Sequence, residues 1–504
     1  MRTPEIQLEA RRPPPRVATQ AGAGELMAAP STASAEPRTR PRPTSRRGLT
    51  LLQRIGLALA VLVPPIPLLV DVPDLEPVGE RMLAIFLLAI ILWVTEAVPL
   101  VATAVLVILL EVLLVSDQAL LAVPDDVTSA ATFYAALANP VIILFLGGFL
   151  IADAASKYGL DRNLAAVLLR PFRSSARLTV LGLMAITAVL SMFMSNTATT
   201  ATMFAVLIPV LALLPSGGAR TGFALAIPVA ANIGGIATPV GSPPNAIALA
   251  ALTERGEQIT FVGWMLATFP LMVVLLLFAW LLLVWRFVPK DLAVGLDLGA
   301  DFDRRPKAVV FYVVAAVTIL LWLTEPLHGI PSTTVGFLPV VALLLTQVMS
   351  GEDLKVLQWP VLWLVAGGIA LGIGVGATGL DAWLIGLVSW STLPQAIILG
   401  ALALMALLLS TAISNSATAN LLIPIALGLA VTVGLDTQVA AVVLAIACGL
   451  AMALPISTPP NAIAYATGEV STPQMAVVGI AVGLVGLLLL VVIMPPLWAA
   501  TGML

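Results

Sequence analysis

Long apolar stretches alternate with short polar segments along most of this chain. About eleven of them approach or exceed the roughly 20 residues with which a helix crosses a bilayer; they lie near residues 51–70, 79–95, 97–115, 140–156, 222–252, 262–288, 308–323, 332–349, 360–378, 437–466 and 474–497. Two more stretches, near 178–214 and 393–433, are split by a polar phrase into arms of about 16 residues, which is short for a tilted span. The pattern predicts an all-α polytopic membrane protein with about 11 transmembrane helices and two re-entrant hairpins.

Composition agrees with a membrane protein and narrows its chemistry. The chain has 504 residues, of which 60% are hydrophobic and 10% are charged, whereas soluble domains contain about 25% charged residues. One cysteine, Cys448, excludes an internal disulfide and a cysteine metal cluster, and one histidine, His328, leaves little for histidine catalysis. Residues 1–48 are rich in Arg, Pro, Ala, Ser and Thr, which predicts a disordered cytoplasmic tail.

Two polar phrases interrupt the apolar stretches, and each phrase occurs twice. Ser-Asn-Thr at 195–197 is matched by Ser-Asn-Ser at 414–416, and Ser-Pro-Pro-Asn at 242–245 by Thr-Pro-Pro-Asn at 458–461. Successive prolines cannot continue a helix, and Asn245 and Asn461 are expected to cap the half-helices that follow them. A bilayer tolerates broken backbone only where it is buried in protein or lines a cavity. The four phrases therefore predict a binding site built from an internal repeat.

The distribution of positive charge predicts that the two copies are inverted. With the N-terminus in the cytoplasm, all of the 24 Lys and Arg residues except Arg81 and Arg255 fall on the cytoplasmic side. Five predicted crossings separate the two Ser-Asn tips. Because five is an odd number, the two hairpins enter the membrane from opposite sides. The predicted repeats are residues 49–300, with hairpin 178–214 and broken helix 222–252, and residues 301–504, with hairpin 393–433 and broken helix 437–466. The C-terminus then lies outside.

Other positions recur in both repeats. Glycine pairs at 147–148 and 367–368 precede the two tips by similar distances, and we interpret them as points of close helix packing. Trp-Val-Thr-Glu at 93–96 resembles Trp-Leu-Thr-Glu at 322–325. Because both glutamates close apolar spans, a packing or interfacial role is the expectation for them.

The chemistry of the phrases favours a cation and an anion together. A helix break exposes carbonyls on one side and N–H groups on the other, which suit a cation and an anion respectively. Ser191 and Ser410 lie one turn before the tips and add hydroxyl oxygens. Since no Lys, Arg or carboxylate lies near the phrases, bound cations would offset an anion's charge. Such polar side chains also form hydrogen bonds between packed membrane helices where no ligand binds. The occurrence of four matched helix breaks favours a binding site over this alternative.

These phrases resemble the divalent anion/sodium symporter family, which comprises sodium-coupled dicarboxylate, citrate and sulfate carriers and related exchangers. One departure is Ser416, where the family pattern has threonine. The resemblance implies a homodimer in which a transport domain moves against a scaffold as an elevator. It implies substrate contacts from Ser195, Asn196, Thr197, Ser242, Pro243, Ser414, Asn415, Ser416, Thr458 and Pro459. It also implies one sodium site at Ser191, Ser195, Asn196 and Gly241 and another at Ser410, Ser414, Asn415 and Ser457.

The expected function is sodium-coupled symport of a small divalent anion across the plasma or inner membrane, with C4-dicarboxylates such as succinate, malate or fumarate as substrates. Alternatives are a sulfate or citrate carrier, a sodium-independent dicarboxylate exchanger and an ion-driven antiporter. An intramembrane enzyme is disfavoured because no base, nucleophile or metal cluster lies near the phrases. The expected partners are the anionic substrate, co-transported Na⁺ and the lipid bilayer, with neither an organic cofactor nor nucleic acid.

Overall fold

The computed structural model describes residues 49–502 except 126, 173, 216, 291, 293–298, 388–389 and 391–392. The predicted tail, residues 1–48, lies outside the described residues. The first half contains α1 Leu51–Leu62, α2 Ile66–Leu69, α3 Pro77–Thr95, α4 Leu100–Leu114, α5 Ala130–Ala135, α6 Pro140–Lys157, α7 Leu160–Leu168, α8 Ala176–Phe193, α9 Asn196–Leu213, α10 Gly218–Gly235, α11 Pro243–Thr253 and α12 Phe261–Phe287.

The second half of the described chain is also helical. It contains α13 Pro306–Leu323, α14 Glu325–His328, α15 Ser332–Val335, α16 Phe337–Leu345, α17 Gly351–Lys355, α18 Trp359–Ala377, α19 Leu380–Gly386, α20 Gln395–Ala412, α21 Asn415–Val433, α22 Thr437–Gly449, α23 Pro459–Ala466, α24 Thr472–Leu488 and α25 Met494–Thr501. Ten helical segments in the described residues are long and apolar enough to span a membrane. The prediction of an all-α, multi-pass membrane protein is confirmed.

Both predicted hairpins are helix–break–helix units. The breaks fall at Met194–Ser195 and Ile413–Ser414, where the backbone is extended. The arms contain 18 or 19 residues, so the predicted arm length of about 16 is wrong. The physical reason is that each serine caps the next helix directly, accepting from the N–H three residues on, and almost no residue is left over for a loop.

The two broken helices also follow the predicted phrases, with one difference. Each proline pair forms the first two positions of α11 and α23, where the missing N–H groups have no helical acceptor to lose. Ser242 and Thr458 occupy the cap positions. The prediction that Asn245 and Asn461 cap these half-helices is therefore wrong, because both stand at the third helical position.

The broken helices pack against each other across the repeat boundary. α11 contacts α22, and α10 contacts α23. α8 packs against α10 in the first repeat, and α20 packs against α22 in the second. This arrangement brings each hairpin against the first half of its own broken helix. These pairings agree with a division into two repeats, but the division itself stays a prediction. The membrane orientation of the repeats stays a prediction as well.

The two Trp-x-Thr-Glu segments have different environments. Both indoles donate to main-chain oxygens beyond the helix end, Trp93 to Leu100 at 3.1 Å and Trp322 to Ser332 at 3.0 Å. Glu325 is buried and accepts from the N–H groups of Phe261 and Ser332, at 2.9 and 3.1 Å, which confirms a packing role. Glu96 instead is exposed and has a left-handed backbone.

The first glycine of each pair is a close-packing point. A Cβ atom at position 147 would overlap the carbonyl oxygen of Gly336, and one at 367 would overlap the Cβ and main-chain atoms of Ala104. None of these neighbours is the far end of a flexible side chain that could move away. The close-packing interpretation is confirmed for these two glycines.

We expect Gly147→Ala to destabilise the protein by about 1–3 kcal/mol, because the added methyl group forces α6 away from Gly336. The control is Gly400→Ala, where the new Cβ would meet only Val491 Cγ1 at 3.4 Å. Alanine there should be neutral or slightly stabilising in a helix interior. The measurement is the thermal unfolding midpoint of the detergent-solubilised protein. Equal midpoints for the two variants would contradict the close-packing role.

Candidate functional site

A cavity of about 760 Å³ lies where both hairpin breaks and both broken helices meet. Its polar lining consists of Glu96, Ser195, Asn196, Thr197, Asn232, Ser242, Gln358, Ser414, Asn415, Ser416, Ser457, Thr458 and Tyr465. All ten residues predicted to contact substrate line this cavity. Of the predicted sodium ligands outside that set, Gly241 and Ser457 line it, whereas Ser191 and Ser410 are fully buried.

The electrostatic character of the lining is nearly neutral. Among the described residues that line the cavity there is no Lys or Arg, and the only carboxylate is that of Glu96. The remaining surface is apolar and includes Phe145 and Phe149 of α6. An anion in this cavity would therefore meet hydroxyls, amides and helix N-termini rather than fixed positive side chains.

In the first repeat, oxygen atoms converge behind the hairpin tip. Ser191 Oγ lies 2.6 Å from Asn196 Oδ1 and 2.8 Å from the carbonyl oxygen of Ala231. The same end of the Asn196 amide lies 3.2 Å from the carbonyl oxygens of Ala231 and Gly241. With the amide nitrogen at that end, its two hydrogens have three acceptors within reach. With the oxygen there, four oxygen atoms face one another.

The second repeat has a matching cluster. Ser410 Oγ lies 2.8 Å from Asn415 Oδ1 and 2.9 Å from the carbonyl oxygen of Cys448. Ser457 points elsewhere, because its hydroxyl donates to the carbonyl of Thr411 at 2.8 Å. The structure thus brings Ser410 and Asn415 together as predicted and engages the Ser457 side chain with the hairpin.

The tip serines have a structural task as well. Ser195 Oγ accepts from the N–H of Ala198 at 3.2 Å, and Ser414 Oγ accepts from the N–H of Ala417 at 3.4 Å. Ser195 Oγ also accepts from Gln358 Nε2 at 3.0 Å. Gln358 was not predicted, and its only signal in the sequence is a lone amide just before the apolar run of α18.

Two buried asparagines hold the broken helices in shape. Asn245 Nδ2 donates to the carbonyls of Gly235 and Thr238 at 2.9 and 2.8 Å. Asn461 Nδ2 donates to those of Met452 and Leu454 at 2.8 and 3.0 Å. Both side chains are almost completely buried. They supply the donors to the carbonyls of Gly235 and Met452, and they add a second donor to those of Thr238 and Leu454, which also accept main-chain N–H groups. This is a structural role.

Comparison with known proteins gives relatives along most of the chain. The citrate transporter family model matches residues 90–449 and 319–503. The sodium-dependent dicarboxylate transporters SdcS of Staphylococcus saprophyticus and Staphylococcus aureus are 31% and 30% identical to this chain, over 484 and 480 residues. Each match covers 88% of this chain and 90% of the relative.

Solved structures of two transporters are similar in fold. The YdaH transporter of Alcanivorax borkumensis matches with a TM-score of 0.54 at 16% identity, over 80% of this chain and 99% of that one. MtrF of Neisseria gonorrhoeae matches with a TM-score of 0.51 at 13% identity, over 80% and 96%. At this identity the similarity concerns the fold alone.

We expect Asn245→Ala and Asn461→Ala each to lower the stability by about 1–3 kcal/mol, because each leaves one buried carbonyl, that of Gly235 or Met452, without a donor. The measurement is the thermal unfolding midpoint in detergent. Asn163→Ala is the matched control, since Asn163 also makes two main-chain bonds, with Asp301, but at the surface where water replaces them. Midpoints for Asn245→Ala and Asn461→Ala no lower than that of the control would refute the bracing role.

Proposed function

We propose that this chain, which belongs to the divalent anion/sodium symporter family, is a sodium-coupled carrier of small dicarboxylates. C4-dicarboxylates such as succinate, malate and fumarate are the proposed substrates. Its family and relatives are transporters and not enzymes. The observation that supports the proposal best is the single cavity in which the neutral polar tips of both hairpins meet both Pro-Pro-Asn breaks.

The anion would be bound by helix N-termini and neutral donors. α9, α11, α21 and α23 all begin at residues that line the cavity. The first N–H groups of α9 and α21 have no acceptor within their helices, and each helix dipole favours negative charge at its start. The side chains of Asn196, Thr197, Asn415, Ser416 and Thr458 surround the same space. Two carboxylates of one substrate could thus each face one repeat.

Sodium would occupy the oxygen clusters behind the tips. A hard cation takes oxygen ligands from unwound backbone and small polar side chains in such transporters. The first proposed site uses Ser191, Asn196 and the main-chain oxygens around Gly241, and Ser195 would add its main-chain oxygen, because its hydroxyl already caps α9. The second uses Ser410 and Asn415 with the main chain near Ser414 and Ser457. In this arrangement the Asn196 amide turns its oxygen to the ion.

Charge balance gives a physical reason for coupling. Transfer of an unpaired charge into a low-dielectric site is costly. Because the lining contains no Lys or Arg and one carboxylate, a dianion gains no fixed positive partner there. Sodium ions in the two clusters would supply positive charge beside the anion. Substrate binding without sodium would then be weak.

The movement that we propose is an elevator motion of the hairpins and broken helices. Both hairpin tips line the cavity formed at the breaks between α10 and α11 and between α22 and α23. This favours tips that lie as deep in the membrane as the breaks in the middle of those spans. Re-entrant hairpins require tips at that depth. The lining also contains Glu96, Leu100, Gln358 and Val361. These residues lie on or beside α3, α4 and α18, which would form the scaffold. The homodimer and the cytoplasmic N-terminus stay predictions.

Citrate is the second candidate substrate. The matching family model is described as that of citrate transporters, whereas the curated relatives are described as dicarboxylate transporters. A tricarboxylate carries a third carboxyl group and a hydroxyl, and the cavity has further polar groups in Gln358, Asn232 and Tyr465.

The test is uptake of labelled succinate by proteoliposomes containing the purified protein. We expect an inward sodium gradient to stimulate uptake at least tenfold over a potassium gradient. Unlabelled malate and fumarate should compete, while sulfate should not; citrate as the strongest competitor would favour the second candidate. Uptake that does not depend on sodium would exclude symport, and no uptake of any of these anions would exclude the proposed substrates.

We expect Asn196→Ala and Asn415→Ala each to reduce sodium-driven uptake by at least about a hundredfold, because each removes an amide shared by the proposed ion and anion sites. Asn163→Ala, at the protein surface, is the control and should retain wild-type uptake. Both variants should remain folded, as judged by monodisperse elution in detergent. Wild-type uptake by either variant would show that its amide only supports the fold.

A further inference from the structure

Asn232 lines the cavity but belongs to none of the repeated phrases. It lies on α10, three residues before Gly235, the last residue of that helix. Only 2% of its surface is exposed. Its amide nitrogen donates to two groups of the other repeat, Thr458 Oγ1 at 3.2 Å and Asn461 Oδ1 at 3.3 Å. A polar side chain of repeat one therefore reaches the start of α23, in repeat two.

The orientation of the Asn232 amide follows from its neighbours. Asn461 Nδ2 donates to the carbonyls of Met452 and Leu454, which can only accept, so its Oδ1 must face Asn232. Asn232 must then present its nitrogen to Asn461 and Thr458. Its own Oδ1 has no hydrogen-bond partner among the described residues. The contact with Thr458 is thus a donation from Asn232.

This donation determines what the Thr458 hydroxyl can do. Thr458 Oγ1 accepts from Asn232 Nδ2 and also from the main-chain N–H of Asn461, at 3.4 Å. A hydroxyl has two lone pairs and one hydrogen, so both acceptor positions are used and the hydrogen remains. Within the described part of the chain, Thr458 Oγ1 donates to no protein acceptor, and Thr458 lines the cavity.

The first repeat lacks this arrangement. Cys448 stands 13 residues before Asn461, as Asn232 stands 13 before Asn245. A thiol is only a weak donor. Ser242, which corresponds to Thr458, makes no side-chain bond to cap α11. The fixed hydroxyl is therefore a property of the second repeat alone.

We infer that Asn232 is a positioning residue that keeps the Thr458 hydroxyl as a hydrogen-bond donor to a carboxylate oxygen of the substrate. This inference rests on the proposed function. It assigns to Asn232 an effect on substrate affinity that passes through Thr458, because the Asn232 amide nitrogen is already engaged with Thr458 and Asn461. Loss of the amide frees the hydroxyl to rotate and to accept, which weakens its bond to an anion.

The test is a double-mutant cycle on the full-length protein in proteoliposomes. We expect Asn232→Ala to raise the KM for succinate about tenfold and to change the maximal rate less than about twofold. Thr458→Val should raise KM at least as much. In the Thr458→Val background, Asn232→Ala should have no further effect on KM, whereas Thr458→Ser should preserve the effect of Asn232→Ala.

Asn420→Ala provides the control for loss of a buried amide, since Asn420 donates to the Leu364 carbonyl and does not line the cavity. Its effect should combine additively with that of Thr458→Val. If Asn232→Ala does not fold, Asn232→Cys replaces it, the residue that the second repeat has at this position. Additive effects of Asn232 and Thr458 variants on KM, or a fall in maximal rate alone, would overturn the inference.

A parallel measurement separates this inference from the proposed function. The thermal unfolding midpoint of the wild-type protein should rise with succinate in sodium buffer. If neither uptake nor a midpoint shift occurs with succinate, malate, citrate or sulfate, the proposed function fails and the inference fails with it. If the wild-type protein responds and the cycle is additive, only the role of Asn232 is refuted.

Discussion

Four helix breaks in a buried interior impose the constraint on which the rest of the structure depends. Each break leaves main-chain groups without helical partners, and buried polar groups without partners are costly. Small polar side chains satisfy most of them: Ser195 and Ser414 cap the second arms of the hairpins, while Asn245 and Asn461 donate to carbonyls in the unwound segments. Helices α9, α11, α21 and α23 start at these breaks, at residues that line the cavity. The proposed binding site is thus made of the same main-chain groups that the breaks release.

Sequence reasoning locates the breaks because proline, serine and asparagine act locally on the backbone. All ten residues that the family resemblance implies as substrate contacts line the cavity, since each lies within a few residues of a break. Sequence reasoning misses Gln358 and Asn232, which reach the site from apolar helices distant in sequence, at Ser195 and Thr458 respectively. Their proximity is set by how the two repeats pack, and no local pattern encodes that.

Equal sequence motifs can also receive unequal environments. Glu96 and Glu325 end matching segments, yet Glu96 lines the cavity, whereas Glu325 is buried and accepts hydrogen bonds from two main-chain N–H groups. Conversely, residues at positions that do not correspond make the same kind of hydrogen bond in the two repeats. The carbonyls of Met192 and Thr411 each follow the buried serine of their hairpin by one residue. Thr238 donates to the first and Ser457 to the second. Alignment of the repeats does not pair these two hydroxyls, so only the folded chain reveals the shared contact.

The site has one part in which the two repeats make the same contacts and another part in which their contacts differ. The clusters around Ser191 and Ser410 have closely similar distances, 2.6 and 2.8 Å in one and 2.8 and 2.9 Å in the other. Around the cavity the repeats differ: Gln358 donates to Ser195 of the first tip, Asn232 donates to Thr458 of the second repeat, and Thr197 is matched by Ser416. Under the proposed function, two sodium ions would place the same demand on both repeats, and so would the two equal ends of succinate or fumarate, whereas malate, whose ends differ, would not. The carrier would then distinguish malate from succinate through the residues in which the repeats differ, and coupling would arise from those they share.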